Sequence, residues 1–330
     1  MLSRSAENLF WISRYMERAE NLARLLDMGY RVARLGDGGE GATNEWESVI
    51  LSAGAANGFA YPLEAANQET TSEWLMVSGA NASSVKSCFG RVRANARAIR
   101  TSLTSEVWEA VNDAWMDIRD LDHDALAGSG LPGAIDWIKQ RVAQFRGAVD
   151  STLLRDEGYD FVRLGIHHER ADSTARLLDV KYHVLLPSEE RIGGSVDYYQ
   201  WVSILRAANS LLSYQRYHKD GVKPWHVAEY LILNRESPRS LTYCYQVMLR
   251  HFANLAEDMG QRWPCHDLAE ATAARLAGAT IDSVFAGGLH EFLSSFIISN
   301  NQLADAVGSA YGFTGALSRN ENAVEAERSA

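Results

Sequence analysis

Apolar residues recur at three- and four-residue spacings along nearly the whole chain. No run of alternating, β-branched residues bounded by hairpin turns interrupts them. The pattern predicts an all-α fold of about ten or more helices. The first helix runs to about residue 35 from a cap at Ser3 or Ser5, with Glu7 near the positive end of its dipole. At ~100° per residue its positions separate into faces. Asn8, Ile12, Tyr15, Ala19, Ala23 and Leu26 form an apolar stripe. Glu7, Trp11, Arg14, Arg18, Asn21 and Leu25 share a second face, and Glu17, Glu20, Arg24 and Asp27 a third. Further helices are expected at about 45–56, 70–78, 83–102, 106–121, 133–154, 156–185, 196–217, 225–233, 239–260, 266–277 and 280–311. Pro238 is placed in the first turn of its helix, where proline is tolerated, and Pro187 as a stop. Glycine-rich or proline-containing stretches at 36–41, 127–133 and 193–194 read as loops, and the polar segment 314–330 as a flexible tail.

One phrase occurs twice. E-R-A-E-N-L-A-R-L-L-D at 17–27 returns as E-R-A-D-S-T-A-R-L-L-D at 169–179, an offset of 152 (169 − 17). Trp46 and Ser48 align with Trp201 and Ser203 at an offset of 155 (201 − 46). Glu73, Leu75, Ser84 and Cys88 align with Glu229, Leu231, Ser240 and Cys244 at an offset of 156 (240 − 84). Ordered anchors with a slowly growing offset predict an internally duplicated bundle whose halves are related by a pseudo-twofold axis. The expected division is 1–126 and 127–313, packed as one unit, followed by the tail 314–330.

Composition narrows the picture without naming a reaction. The 330 residues are 46% hydrophobic and 22% charged, ordinary values for a globular chain of the cytoplasm. A formal net charge of −10 argues against nucleic acid or an anionic membrane as partner. Charged residues interrupt each long apolar stretch, so neither a membrane span nor a signal peptide is expected. The three cysteines, Cys88, Cys244 and Cys265, lack metal-ligand spacing and read as buried free thiols.

The repeated phrase carries the only candidate chemistry. Glu20 and Arg24 are an i,i+4 pair, Arg24 and Asp27 an i,i+3 pair, and the second copy keeps the same charges. Glu7, Arg14, Glu17, Arg18, Glu20, Arg24, Glu169, Arg170, Asp172 and Arg176 are the candidate ligand or interface residues. On one reading they are ladders that dock two related helices. On the other they line a shared pocket in which Glu17 or Glu169 acts as a base and Arg18 and Arg170 hold an anionic or amino-acid-like ligand. A di-metal variant rests on the i,i+3 spacing of Glu17 with Glu20 and of Glu169 with Asp172. It lacks a Glu-x-x-His motif, and arginines crowd each candidate ligand. No metal or cofactor is expected, since phosphate-binding loops, dinucleotide fingerprints and nucleophile elbows are all missing from the sequence. Arg91, Arg93, Arg97 and Arg100 read as a solvated face or a docking strip. The stretch from His218 to His226 reads as a solvated loop anchored by Trp225.

Several strings together resemble the alpha-E domain family. They include Ala6-Glu7-Asn8-Leu9-Phe10-Trp11, Glu17-Arg18-Ala19-Glu20-Asn21, Asn95-Ala96-Arg97, Leu164-Gly165, Glu169-Arg170-Ala171-Asp172 and Pro238-Arg239-Ser240. His168 stands where that pattern leads one to expect an aliphatic residue. The resemblance implies an all-helical bacterial protein of undefined activity that accompanies ATP-grasp ligases and transglutaminase-like peptidases. An ATP-grasp ligase is therefore the expected protein partner, in amide-bond metabolism, with catalysis by this chain not expected. Self-association into a homo-oligomer is a further expectation.

Overall fold

The computed structural model describes residues 3–34, 44–126, 130–183 and 195–314, with side chains given outside 180–183 and 195–197. Its organising element is α1 (Ser3–Ala33), which is buried on almost every side rather than along one stripe. The face division read from the sequence therefore does not separate core from solvent. Glu7, Arg14, Glu17, Glu20 and Asn21 are buried together with Ile12, Tyr15, Ala19, Ala23 and Leu26. A helix enclosed all round has no solvated side, so each charge on it must find a partner inside the protein.

Short elements follow. These are α2 (Glu45–Ser52), α3 (Gln68–Ser72) running into a π-helical turn at Glu73–Val77, and then α4 (Val85–Ala98) and α5 (Ser105–Ile118). Next come α6 (Gly130–Thr152) and α7 (Glu157–His183), the second long central helix. The chain continues through α8 (Ser195–Ala207), α9 (Leu211–Tyr217), α10 (Pro224–Leu233) and α11 (Leu241–Met259). It finishes with α12 (Pro264–Gly278), α13 (Ile281–Ala286) and α14 (Leu289–Ala310). These are fourteen α-helices among the described residues, with no strand.

The most extensive packing is between α1 and α7. Around that pair, α1 also packs on α4, α6 and α8, and α7 on α11 and α14. The close approach of the central pair depends on Gly165. A Cβ there would lie 2.1 Å from Ser13 Oγ and 2.4 Å from the Phe10 carbonyl oxygen. Ser13 and Gly165 occupy matched positions of the sequence repeat, 152 residues apart.

Several boundaries differ from the sequence reading, each for a local reason. Ser3 and Ser5 lie inside α1 rather than capping it. Residues 130–133, expected as loop, are the first turn of α6. The helix expected at 196–217 is two, because Asn209 adopts a left-handed conformation (φ 51°) between α8 and α9. The helix expected at 280–311 breaks at Gly288, with φ 90°. Pro238 precedes α11, whose cap is Ser240: its hydroxyl accepts from the Tyr243 amide at 3.0 Å. The matched Ser84 caps α4 in the same way, accepting from the Ser87 amide at 3.2 Å. The readings at 36–41, Pro187 and 193–194, and at 315–330 of the tail, lie outside the described residues. Thr314 itself is tied down, its amide and hydroxyl both donating to Glu7 at 3.1 Å.

Candidate functional site

The two Glu-Arg dipeptides of the repeat meet at the α1–α7 crossing and exchange partners. Arg170 lays a fork on Glu17, with Nε donating to Oε1 at 2.8 Å and a terminal nitrogen to Oε2 at 3.0 Å. Arg18 lays the reciprocal fork on Glu169, at 2.5 Å to Oε1 and 3.1 Å to Oε2. Such bidentate, charge-assisted pairs are among the stronger and most directional contacts available to a side chain. Each helix therefore holds the other by the same two residue types.

Neighbouring guanidinium groups complete each carboxylate. Arg146, from α6, donates to Glu17 Oε2 at 2.6 Å and also reaches Glu20. Arg239, in the turn before α11, donates to Glu20 Oε2 at 3.1 Å and to Asn21 Oδ1 at 2.9 Å, and lies 3.4 Å from Glu17 Oε1. Arg24 donates to Glu20 Oε1 at 3.1 Å from Nε. On the other side, Arg14 donates to Glu169 Oε2 at 2.9 Å, and Arg176 to Asp172 Oδ2 at 2.7 Å. The expected Arg24–Asp27 pair does not form: Asp27 accepts from Arg31 at 2.8 Å and from Lys139 at 3.0 Å. Glu7 stands apart from the centre, where it anchors Thr314.

The electrostatics follow from this crowding. Burial pushes the Glu17 carboxyl up, but Arg170, Arg146 and Arg239 together outweigh it and hold the group well below the usual range. Against the same burial, Arg239 draws Glu20 down to about 2, and Arg18 and Arg14 draw Glu169 down to about 2. Burial, with Arg170 and Arg24 nearby, lowers Arg239 to about 10, which leaves it a cation at neutral pH. His168 is buried and bonded through Nε2 to the Asn300 carbonyl at 2.8 Å, and burial with Arg14 nearby lowers it to about 4. Its neighbour His167 is lowered too, by burial and then by Arg170 and Arg163. Both imidazoles are therefore neutral parts of the core. Cys244, buried beside Arg170, is pushed up to about 12, which leaves an inert thiol.

Between α1, α7 and the segments 52–58 and 80–83 lies a cleft of about 300 Å³. Arg18, Asn21, Trp74, Ser83, Glu169 and Asp172 are among its lining residues, and Leu22 and Leu25 give it an apolar wall. Two buried polar atoms of the lining, Asn21 Nδ2 and Ser52 Oγ, have no hydrogen-bond partner among the described residues. A second, much smaller void of about 10 Å³ lies between Asn21, Arg24, Ser173, Leu177 and Arg239.

Of the residues singled out from sequence, Arg14, Glu17, Arg18, Glu20, Arg24, Glu169, Arg170, Asp172 and Arg176 thus gather at one centre, and Glu7 does not. Sequence reasoning missed Arg146, Arg239, Asn21, Ser52 and Ser83. Arg239 carried a signal, since the offset of 156 pairs it with Ser83. Arg146 carried none, because its role depends on how α6 packs on α1. The arginines at 91–100 do not form one strip: Arg91 donates to the Tyr15 hydroxyl at 3.0 Å, Arg93 donates to Asn112 Oδ1 at 3.2 Å, and Arg100, past the end of α4, lies over Trp108. Trp225 is 49% exposed, and its ring meets its chain neighbours Lys223 and His226. His218 stacks on His226, with ring centroids 4.4 Å apart.

No helix among the described residues is long and apolar enough to cross a membrane. No curated protein and no solved structure matches the chain. The model of the Alpha-E family, described as a predicted alpha-helical domain with a conserved ER motif, matches residues 1–311. Among the described residues, Glu-Arg dipeptides stand at 17–18 and 169–170, both at the α1–α7 crossing. With the match spanning nearly its whole length, the chain belongs to the Alpha-E family.

Proposed function

We propose that this chain is a non-catalytic accessory module of an amide-bond-forming system of the ATP-grasp type in the cytoplasm. One observation carries the non-catalytic part: Glu17, Glu20 and Glu169 are already held as anions by guanidinium groups. A general base must exchange protons near the working pH, and carboxyls at about 2 do not. The centre reads best as a latch joining α1 to α7. The partner part rests on the sequence resemblance, and the aromatic groups that α8, α9 and α10 expose, Tyr198, Tyr199, Tyr217 and Trp225, support it as contact material.

The test is to co-express the chain with an ATP-grasp ligase of the same genome and purify through a tag on the ligase. Co-elution at fixed stoichiometry, with a changed ligation rate, is expected. A purified pair that neither associates nor alters the rate contradicts the proposal. A ligand-binding reading is favoured by the cleft beside Glu169. The di-metal reading falls behind both, because guanidinium N–H groups already occupy the oxygens of Glu17 and Glu169.

A further inference from the structure

The cleft has an occupied counterpart inside the same molecule. The repeat offset of 152 carries Glu17, Glu20 and Asn21 onto Glu169, Asp172 and Ser173, and the offset of 156 carries Ser83 onto Arg239. Arg239 places its guanidinium against Glu17, Glu20 and Asn21. The void left beside Arg239 and Asn21 is about 10 Å³, the room of a single water. At the matched place the short side chain of Ser83 stands in for the arginine. There Glu169, Asp172 and Ser173 border the cleft of about 300 Å³.

Hydrogen-bond capacity agrees with the space. Glu17 accepts three hydrogen bonds, two from Arg170 and one from Arg146, and the Arg239 guanidinium adds an ion-pair contact 3.4 Å from Oε1. An ionised carboxylate offers about four acceptor sites, and at Glu17 a cation faces the fourth. Glu169 receives three, two from Arg18 and one from Arg14. Among the described residues its Oε1 takes only the Arg18 Nε. The unfilled site is on the oxygen that matches the one Arg239 approaches. Asn21 and Ser52 also line the cleft, and on these side chains, at least nine-tenths buried, Nδ2 and Oγ lack partners among the described residues. A buried donor without an acceptor is costly, so these atoms call for one. Asn21 is fixed in orientation, because its Oδ1 accepts from Arg239.

We infer that the cleft binds a small molecule bearing a guanidinium group together with a carbonyl or carboxylate, an arginine-like compound. Its cation sits against Glu169, Asp172 and Ser173, as Arg239 does against Glu17, Glu20 and Asn21. Its acceptor oxygen meets Asn21 and Ser52, and its methylene stem lies on Leu22, Leu25 and the Trp74 ring. The volume falls at the lower end of the range for small-ligand pockets, which suits a single amino acid.

The experiment is calorimetric titration of the purified chain with L-arginine, agmatine and L-citrulline, repeated on Ser83→Arg and Asp172→Asn. L-arginine is expected to bind, and the uncharged L-citrulline at least about tenfold more weakly. Asp172→Asn loses about tenfold or more in affinity for L-arginine, as expected for a lost charge-assisted contact. Ser83→Arg installs the missing guanidinium from the chain itself and abolishes binding while keeping the melting temperature of the unliganded protein. If Ser83→Arg does not fold, Asp172→Asn still decides. Equal binding of arginine and citrulline, equal binding of arginine and agmatine (which lacks the carboxylate for Asn21 and Ser52), unchanged affinity in Asp172→Asn, or no heat with arginine at millimolar concentration overturns the inference. Each outcome is read without a ligase present, so it leaves the partner proposal standing or falling on its own test.

Discussion

The buried titratable side chains give the protein a defined response to acid. Glu17, Glu20 and Glu169 have lowered carboxyl pKa values in the fold, so the unfolded chain binds protons before the native state does. Their contribution is complete above the unfolded carboxylate range near ~4.3 and is lost as pH falls toward 2. His167 and His168 are lowered as well, His168 to about 4, and the sign is the same. Between the unfolded histidine value near ~6.5 and about 4, only the unfolded imidazoles are protonated. Stability measured by urea unfolding should therefore fall in two stages, first below pH 6.5 and then below pH 4.5. His168→Phe should flatten the first stage. A profile that is level from pH 7 to 4 in the unaltered protein contradicts the neutral-core assignment of both histidines.

At the scale of elements, two helices of the same sequence phrase cross closely enough that their charges reach past each other. Gly165 permits this, with Ser13 and the Phe10 carbonyl where a Cβ would stand. Gly165→Ala must push α1 and α7 apart and stretch both forks, with an expected loss of about 2–4 kcal/mol. Denaturant unfolding checks it, and a loss under about 0.5 kcal/mol contradicts the crossing described. The helical class, the central role of the repeated phrase, and the buried Cys88 and Cys244 were legible from periodicity and self-similarity. The joint at Asn209 was not, because a single non-glycine residue in the left-handed region leaves no apolar period to read. The burial of α1 on all sides was equally hidden. Its charged positions look solvated until Arg146 and Arg239 arrive from segments more than a hundred residues away to neutralise them. The same limit applied to the cleft, whose walls come from α1, α7 and two connecting segments with no common pattern.

At the scale of the molecule, exchanged ion pairs close the centre of a helical body, with a cleft beside them. Buried ion networks add modestly to net stability compared with apolar packing, but breaking one partner leaves a buried charge and typically costs about 3–5 kcal/mol. That asymmetry suits a latch: it tolerates the two long helices only in the register where both forks close. The acidic balance of the whole chain, −10, lies largely outside this centre, where arginines outnumber carboxylates. The most direct test of the latch is a double-mutant cycle on Glu169→Gln and Arg18→Met, followed by urea unfolding at pH 7. Each single substitution is expected to be strongly destabilising, and the double variant more stable than their sum by about 1–3 kcal/mol. Losses that add within about 0.5 kcal/mol would show that the two helices are not joined through this pair.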